Sequence, residues 1–133
     1  MAKKEEYKLK NEKFLMDLRA EEEVHELPCG ILYRVVQNSG IERHPQANSI
    51  VTVHYTGSLI NGRVFDDSRT RSYPEAFRLR EVITGWQIAL QNMNVVDRWI
   101  VYIPAAVGYG SKTSGPSPGN STLIFDVELL GIA

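Results

Sequence analysis

Apolar and polar residues alternate along several stretches of the chain after Gly30, and this pattern predicts β-strands. The reason is geometric, because successive side chains of a strand point to opposite faces of a sheet. In Leu123–Leu129 every second residue is apolar and Asp126 and Glu128 lie between them, as expected of a strand with one face in the core. The predicted strands are Ile31–Val36, Ile50–Tyr55, Val64–Asp66, Ala76–Leu79, Arg98–Ile103 and Leu123–Leu129.

The spacing of apolar residues changes at the run VITGW, residues 82–86, where a strand-like pair leads into a predicted helix. The apolar residues of this helix recur at i, i+3, i+4 and i+7 and share one face; they are Trp86, Ala89, Leu90 and Met93. Thr84 is a residue type that caps helices, and the N–H groups of Ile83 and Thr84 are available to a ligand carbonyl. Several strands with one central helix predict an α+β fold, with a mostly antiparallel sheet packed on that helix. Arg98–Ile103 is apolar on both faces, which is typical of an inner strand covered on both sides.

The segment Lys3–Glu26 differs in composition from the rest of the chain, with eight acidic residues, six basic residues and neither Gly nor Pro. This composition predicts a charged, weakly amphipathic helix. The run Leu27–Gly30, with its Pro and Gly, is expected to end it. Residues 1–27 are therefore predicted to form an N-terminal helical extension, and residues 28–133 the main domain.

A short apolar stripe on this predicted helix needs a surface that covers it. The stripe consists of Phe14, Leu15 and Leu18, which share one face. It docks either on the domain or on a second copy of the chain, so homodimerisation through this helix stays open. A coiled coil would need a sustained heptad pattern, which the stripe is too short to provide.

The composition is that of a globular protein and argues against several classes of partner. The 133 residues suffice for one domain, and 43% of them are hydrophobic and 23% charged. A net charge of −1 argues against a nucleic-acid or membrane-surface partner. No apolar run reaches the roughly 18 residues that span a bilayer. The N-terminal run MAKKEEYKLK lacks the apolar centre of a secretory signal, so we expect a cytoplasmic protein; a periplasmic location stays open for a processed form.

Cysteine and histidine give no sign of a metal site. Cys29 is the only cysteine, so we expect no internal disulfide and a small buried hydrophobic residue at this position. Together with Cys29, the residues His25, His44 and His54 lack the compact spacing of metal ligands. We therefore expect neither a metal nor another cofactor.

A long polar loop and a set of aromatic residues are the features least typical of simple packing. The loop is Gly110–Ser121, and loops of this length are usually functional or mobile. The set is half of the chain's twelve aromatic residues, and most of its members lie at inward strand positions or at element ends; they are Tyr55, Phe65, Phe77, Trp86, Tyr109 and Phe125. Spacing alone leaves open whether they form an aromatic core or line a cavity.

Several motifs occur in a fixed order, and together they are far more specific than any one of them. They are VTVHYTG at 51–57, Gly62, Phe65-Asp66, Phe77, VITGW at 82–86, Met93, Tyr109-Gly110 and STLIFDVELL at 121–130. In this order they resemble the FKBP-type peptidyl-prolyl cis-trans isomerases, the macrolide-binding immunophilins, in a bacterial form with an N-terminal helical extension. The resemblance covers about Pro28 to Ile132.

The resemblance implies a strongly curved antiparallel sheet wrapped on the short helix after Gly85. It also implies an apolar pocket between sheet and helix, with Trp86 as its floor. The residues expected to line this pocket are Tyr55, Phe65, Asp66, Phe77, Val82, Ile83, Trp86, Tyr109 and Phe125.

The activity that the resemblance implies is rotation about X-Pro peptide bonds in proteins, which assists folding. Ile83 N–H and the Tyr109 hydroxyl would hold substrate carbonyls, and Asp66 would have an electrostatic or hydrogen-bonding role beside the twisting amide. The implied partners are proline-containing polypeptides and macrolides such as rapamycin. The alternative is a non-catalytic module that uses the same pocket to hold proline peptides, or a chaperone.

Four positions depart from the family pattern. Asp67 stands where a small hydroxyl residue is common, and Val96 stands where a Gly usually follows the central helix. Glu75 occupies a position that can be aromatic, and the residues 117–119 replace apolar residues that cover the bound proline. The last two changes are expected to make the pocket rim more polar, which bears on substrate preference and macrolide affinity. Asp66 and Asp67 are neighbours on a strand and point to opposite faces, which argues against a shared acid–base task.

Overall fold

The computed structural model describes residues 3–133, and within this range it contains two α-helices and a sheet of seven strands. The elements are α1 (Lys3–Arg19), β1 (His25–Glu26), β2 (Leu32–Gln37), β3 (Ile50–Ser58), β4 (Val64–Asp67), β5 (Glu75–Arg78), α2 (Thr84–Asn92), β6 (Arg98–Ile103) and β7 (Leu123–Ile132). Neither of these helices combines the length and the apolar character needed to cross a bilayer.

All strand pairings in the sheet are antiparallel, and the strand order is β1-β2-β6-β7-β3-β4, with β5 also paired to β3. β4 and β5 share one edge of β3, where β4 pairs with Thr56–Ser58 and β5 pairs with Ile50–Val53. The other edge of β3 pairs with β7. Register shifts in β3 at Thr52/Val53 and Gly57/Ser58 are irregularities of the kind that bend and twist a sheet. This is the α+β arrangement that the sequence predicts.

The main core lies between α2 and one face of the sheet. The four residues predicted to share a face of the central helix are all buried. They pack against inward side chains of β3, β6 and β7, which are Val51, Val53, Tyr55, Trp99, Val101, Ile103, Phe125, Val127 and Leu129. Gly85 permits the close approach of α2, since a Cβ at this position would lie 2.5 Å from Ile103 Cγ2.

The helix α1 covers the other face of the sheet. Leu18 is buried and packs with Leu32 and Tyr102, and the partly buried Phe14 and Leu15 extend this second cluster. The predicted apolar stripe therefore docks on the chain's own domain. β6 is consequently covered on both faces, as its sequence predicts.

The predicted extent of the first helix is wrong, because α1 ends at Arg19 rather than at Glu26. Glu21–Glu23 follow after Ala20, and negative charge at a helix C-terminus opposes the helix dipole. Arg34 on β2 attracts Glu21 and Glu23 instead. The chain then forms β1, which pairs with β2. His25 and Glu26, which lie within the predicted helical extension, therefore belong to the sheet. The division into residues 1–27 and 28–133 stays a prediction.

Cys29 is exposed, which corrects the prediction of a buried residue. It lies in the short turn Pro28–Gly30 with φ of 65°. The N–H of Leu27 donates to the carbonyl of Ile31 at 2.7 Å and closes this turn. The middle of the turn therefore projects away from the core.

Val96, where the resemblance leads us to expect a glycine, has a φ of 74°, which is unusual for a β-branched residue. Its N–H donates to the Leu129 carbonyl at 2.6 Å, which fixes the turn after α2. The next residue, Asp97, is buried and accepts hydrogen bonds from the N–H groups of Ser39 and Asn94 at 2.8 and 2.9 Å. These contacts hold Val96 in a strained conformation.

Val96→Gly is expected to raise the free energy of unfolding by about 1 kcal/mol. Left-handed backbone costs an L-residue about 1–2 kcal/mol, and the greater freedom of glycine in the unfolded chain offsets about 0.4–1 kcal/mol of the gain. Urea denaturation measures the change. Val95→Gly is the matched control and should destabilise, since Val95 is not among the residues of positive φ. Destabilisation by Val96→Gly would contradict the assignment of strain.

Candidate active site

A cavity of about 250 Å³ opens beside the start of α2. It is lined by Tyr55, Phe65, Asp66, Phe77, Glu81, Val82, Ile83, Trp86, Tyr109 and Phe125. The structure therefore brings together all nine residues that the resemblance assigns to the pocket, and it adds Glu81. These residues come from β3, β4, β5, β7, the entry to α2 and the loop after β6.

Trp86 forms the floor of the cavity and is held by three aromatic rings. Its ring meets those of Tyr55, Phe77 and Phe125 edge to face, at centroid distances of 5.2, 5.6 and 5.2 Å. The interplanar angles of 85–90° are those that aromatic quadrupoles favour. With 6% of its surface exposed, Trp86 is fixed in place and presents a rigid apolar surface to the cavity.

A glycine on β3 makes room for two of the aromatic walls. A Cβ on Gly57 would lie 2.7 Å from Phe65 Cζ and 2.8 Å from Phe125 Cε1. The rings of Phe65 and Phe125 meet edge to face, with centroids 5.7 Å apart and an interplanar angle of 82°. The pocket shape therefore depends on the absence of a side chain at Gly57.

Ser68 positions Tyr55 at the gap between β4 and β5. Its buried hydroxyl accepts from the Tyr55 N–H at 2.7 Å and donates to the Tyr55 carbonyl at 3.2 Å. The hydroxyl thereby replaces the strand partner that Tyr55 lacks at this edge. His54 on the opposite face of β3 also contacts it, with Nδ1 3.0 Å from the hydroxyl oxygen.

The polar side of the pocket is a network of Tyr55, Asp66 and Arg71. The Tyr55 hydroxyl donates to Asp66 Oδ2, and Arg71 Nη1 donates to Asp66 Oδ1 at 3.0 Å. Arg71 Nε also donates to Glu75 at 3.0 Å, so one guanidinium bridges two carboxylates. Burial, followed by the hydrogen bond to Asp66, raises the pKa of Tyr55, while that of Arg71 is raised chiefly by its own bond to Asp66. Asp66 is therefore held in one orientation by two donors that keep their protons at neutral pH.

Asp67 points away from this network, as the strand geometry predicts. Its carboxylate accepts from the Arg69 N–H at 3.0 Å and from the Thr56 hydroxyl at 3.2 Å. It thus caps the short 3₁₀ turn Ser68–Arg71. This capping role accounts for Asp67 without any part in the pocket.

Two of the hydrogen-bond donors at the cavity, which the resemblance assigns to substrate carbonyls, have no partner among residues 3–133. The first is the backbone N–H of Ile83, the cap residue of α2; Thr84 is the first helical residue, so the prediction that Thr84 caps the helix is wrong. The second is the hydroxyl of Tyr109, whose ring lies beside that of Phe65 and is 40% exposed. Burial, with a smaller effect of the Asp66 charge, raises the pKa of Tyr109, so its hydroxyl also stays protonated at neutral pH.

The loop residues 117–119 do not line the pocket, which corrects the prediction that they cover the bound proline and make the pocket rim more polar. Ser117 is buried away from the cavity, and Pro118 and Gly119 line a different cavity next to α1. The reason is that the polar loop folds against α1 through Ser121 rather than over the pocket. Arg71 and Glu81 are the site residues that the sequence did not reveal, because only the turn after β4 and the 3₁₀ turn before Val82 bring them to the rim.

The sequence matches the model of a known protein family and is similar to known proteins. The family model described as FKBP-type peptidyl-prolyl cis-trans isomerase matches residues 41–130. The chain is 42% identical over 121 residues to the FKBP-type 22 kDa peptidyl-prolyl cis-trans isomerase of Escherichia coli K12, covering 90% of this chain and 58% of that protein. It is 37% identical over 131 residues to the outer membrane protein MIP of Legionella longbeachae, covering 98% of this chain and 56% of that protein.

Solved structures give the same result for the fold. A crystal structure of a peptidyl-prolyl cis-trans isomerase from Pseudomonas syringae superposes with a TM-score of 0.91 and 34% identity, covering all of this chain (100%) and 98% of that one. FkpA from Escherichia coli superposes with a TM-score of 0.90 and 36% identity, covering 96% of this chain and 59% of that one. The chain spans about half the length of the curated relatives it matches.

Proposed function

Because this chain belongs to the FKBP-type peptidyl-prolyl cis-trans isomerase family, we propose that it catalyses cis-trans rotation about X-Pro bonds in polypeptides. The observation that carries this proposal is the aromatic cavity beside the Tyr55–Asp66–Arg71 network, with the free donors of Ile83 and Tyr109 at its edge. No group in this arrangement resembles a nucleophile with its base. The geometry suits a reaction in which no bond is broken.

The apolar walls supply the first part of the mechanism. Rotation about the amide bond crosses a barrier of about 18–20 kcal/mol, which amide resonance creates. Resonance makes the planar amide polar, and water stabilises it. A proline ring seated on Trp86 is removed from water, so the planar ground states lose part of that stabilisation. The twisted amide, which has lost its conjugation, is then favoured in relative terms.

The polar groups supply the second part. The Ile83 N–H and the Tyr109 hydroxyl hold substrate carbonyls on either side of the proline, which keeps the flanking chain still while the amide turns. Asp66, fixed by Tyr55 and Arg71, presents a preorganised charge to the twisting group. Each 1.4 kcal/mol or so of preferential binding to the twisted form raises the rate about tenfold.

The partners we propose are proline-containing segments of unfolded proteins, whose folding the reaction assists. We also propose that the cavity accepts macrolides such as rapamycin, because its lining is mostly aromatic and aliphatic. Glu75, tied to Arg71, makes the rim charged and should lower macrolide affinity relative to a chain with an aromatic residue there. Inhibition of the exchange reaction by rapamycin tests this proposal.

Catalysis is tested by exchange NMR of an X-Pro peptide series, with catalytic amounts of the protein. We expect faster cis-trans exchange with the natural chain and at least about a tenfold loss with Asp66→Ala combined with Tyr109→Phe, since two groups that act on the twisted amide are removed. Tyr33→Phe is the matched control, because Tyr33 stacks on Trp99 and does not line the cavity. Peptide binding without acceleration for any residue before proline would instead assign a non-catalytic binding module.

We further propose that the chain forms a homodimer through the outward face of α1. The inward stripe is occupied by the domain, whereas Leu9 and Met16 lie seven positions apart on one face and are 47% and 65% exposed. Sedimentation equilibrium should give a dimer for the natural chain and a monomer for Leu9→Lys with Met16→Lys. A monomeric natural chain would contradict this proposal.

A further inference from the structure

The loop that follows Tyr109 is attached to α1 through a buried amide. Asn11 is only 3% exposed. Its Oδ1 accepts from the Thr122 N–H at 2.7 Å, and its Nδ2 donates to the Tyr7 carbonyl at 2.8 Å. Both halves of the amide are thus satisfied, and loss of the side chain would leave a buried Thr122 N–H without an acceptor.

Tyr7 adds a second contact to the same end of the loop. Its hydroxyl lies 2.7 Å from the hydroxyl oxygen of Ser121. The Ser121 hydroxyl in turn donates to the Pro118 carbonyl at 2.6 Å, so Tyr7 is the donor to Ser121. Two adjacent residues at the C-terminal end of the loop, Ser121 and Thr122, are therefore bound to α1.

The C-terminal end of the loop is bonded to the residue next to Tyr109. The Asn120 N–H donates to the Gly110 carbonyl at 2.9 Å, and the Gly110 N–H donates to the Ala105 carbonyl at 2.8 Å. Two hydrogen bonds therefore lie on the path from α1 to Tyr109, one between Asn11 and Thr122 and one between Asn120 and Gly110. Thr122 is thus linked to Gly110, the neighbour of Tyr109, by the backbone of residues 120–122 and one hydrogen bond.

A cavity of about 400 Å³ lies beside this contact. Residues of α1, among them Leu15, line one side of it, and residues around the loop ends, among them Pro104, Ala105 and Gly110, line the other. Asn11 and Thr122 lie at its boundary. The hydrogen bonds of Asn11 to Thr122 and of Tyr7 to Ser121 therefore join the loop to the helix beside this cavity.

We infer that Asn11 is a positioning residue for Tyr109, so that α1 forms part of the support of the active site. The kinetic consequence of this inference rests on the proposed isomerase activity, whereas the placement of Tyr109 does not. Asn11 acts through the loop and does not line the aromatic cavity beside α2.

The inference is tested with Asn11→Leu, which keeps a similar volume and removes both polar groups, and with Asn11→Asp, which keeps an oxygen that accepts from Thr122. Leu129→Ala is the control for general destabilisation, since Leu129 is buried and contacts neither the α1 cluster nor the cavity. The measurements are the exchange rate of an X-Pro peptide and NMR titration of Tyr109 in ring-labelled full-length protein.

We expect Asn11→Leu to lower the catalysed exchange rate about tenfold, as small displacements of a positioned group do. It should also bring the Tyr109 titration closer to that of a free tyrosine. Asn11→Asp should restore part of both properties, because it keeps the acceptor for Thr122 but sets its second oxygen against the Tyr7 carbonyl. Leu129→Ala should leave the Tyr109 titration unchanged. An unchanged Tyr109 titration in Asn11→Leu would overturn the inference, as would an equal change in Leu129→Ala. If the natural chain fails to catalyse exchange, the proposed function falls, and the titration still decides the placement of Tyr109.

Discussion

Trp86→Ala is expected to lower the free energy of unfolding by about 3–5 kcal/mol, as large-to-small replacements of buried tryptophan do. It should also abolish binding of proline peptides. Tyr55, Phe77 and Phe125 all meet the indole edge to face, so its loss removes the pocket floor and the support of three walls together. Urea denaturation and titration with an X-Pro peptide measure the two effects on one sample.

The second tryptophan of the chain is the matched control for this experiment. Trp99 is as buried as Trp86, but it stacks on Tyr33 with ring centroids 4.0 Å apart and does not line the cavity. Trp99→Ala should therefore cost a similar free energy of unfolding and leave peptide affinity nearly unchanged, when both are measured under conditions where the variants are folded. Equal losses of affinity in the two variants would show that affinity follows overall stability rather than the pocket floor.

Gly57→Ala should destabilise the protein by about 1–3 kcal/mol, the usual cost of overpacking a well-filled interior. The added methyl group would lie within 3 Å of Phe65 and Phe125, and both rings line the cavity. Their displacement should reduce catalysed exchange more than a change in stability alone predicts. Denaturation curves and exchange NMR measure both quantities.

Gly131 provides the control, because it also lies in a strand of the sheet and pairs with β3. A Cβ on Gly131 would meet its nearest neighbour, Thr52 Cβ, at 3.9 Å, an ordinary contact. Gly131→Ala should therefore stabilise by about 0.4–1 kcal/mol through the unfolded state. If both alanine variants behaved alike, the close approach at Gly57 would not be what shapes the pocket.

The fold could be predicted largely because its periodic patterns are long and its core faces are apolar. The alternation along β3 and β7 places the apolar residues on one face of each strand, and the helical spacing after Gly85 places them on one face of α2. In each element that face is buried. The end of α1 was not predictable from composition. It depends on Arg34, which attracts Glu21 and Glu23, and on the pairing of His25 with Tyr33, and both are contacts across the chain.

The site could be predicted from sequence only through the family resemblance. The aromatic residues are spread from Tyr55 to Phe125, and their convergence depends on the order of strands in the sheet. Arg71 remained hidden because a charged residue in a polar turn is usually solvated, and its role appears only when Asp66 and Glu75 are seen on either side of it. The loop after Tyr109 was assigned to the rim for lack of any sign that Asn11 and Tyr7 would hold it elsewhere.

The position of β7 in the sheet has a consequence for synthesis on the ribosome. β7 is the last of the strands to be translated, yet it lies between β6 and β3 and pairs with both. Until it emerges from the exit tunnel, β3 and β6 have no partner between them, and each nascent chain presents two open strand edges that neighbouring chains can pair with. Phe125 is also absent from the cavity at that stage. The nascent chain therefore completes neither the sheet nor the aromatic cavity until β7 has left the exit tunnel.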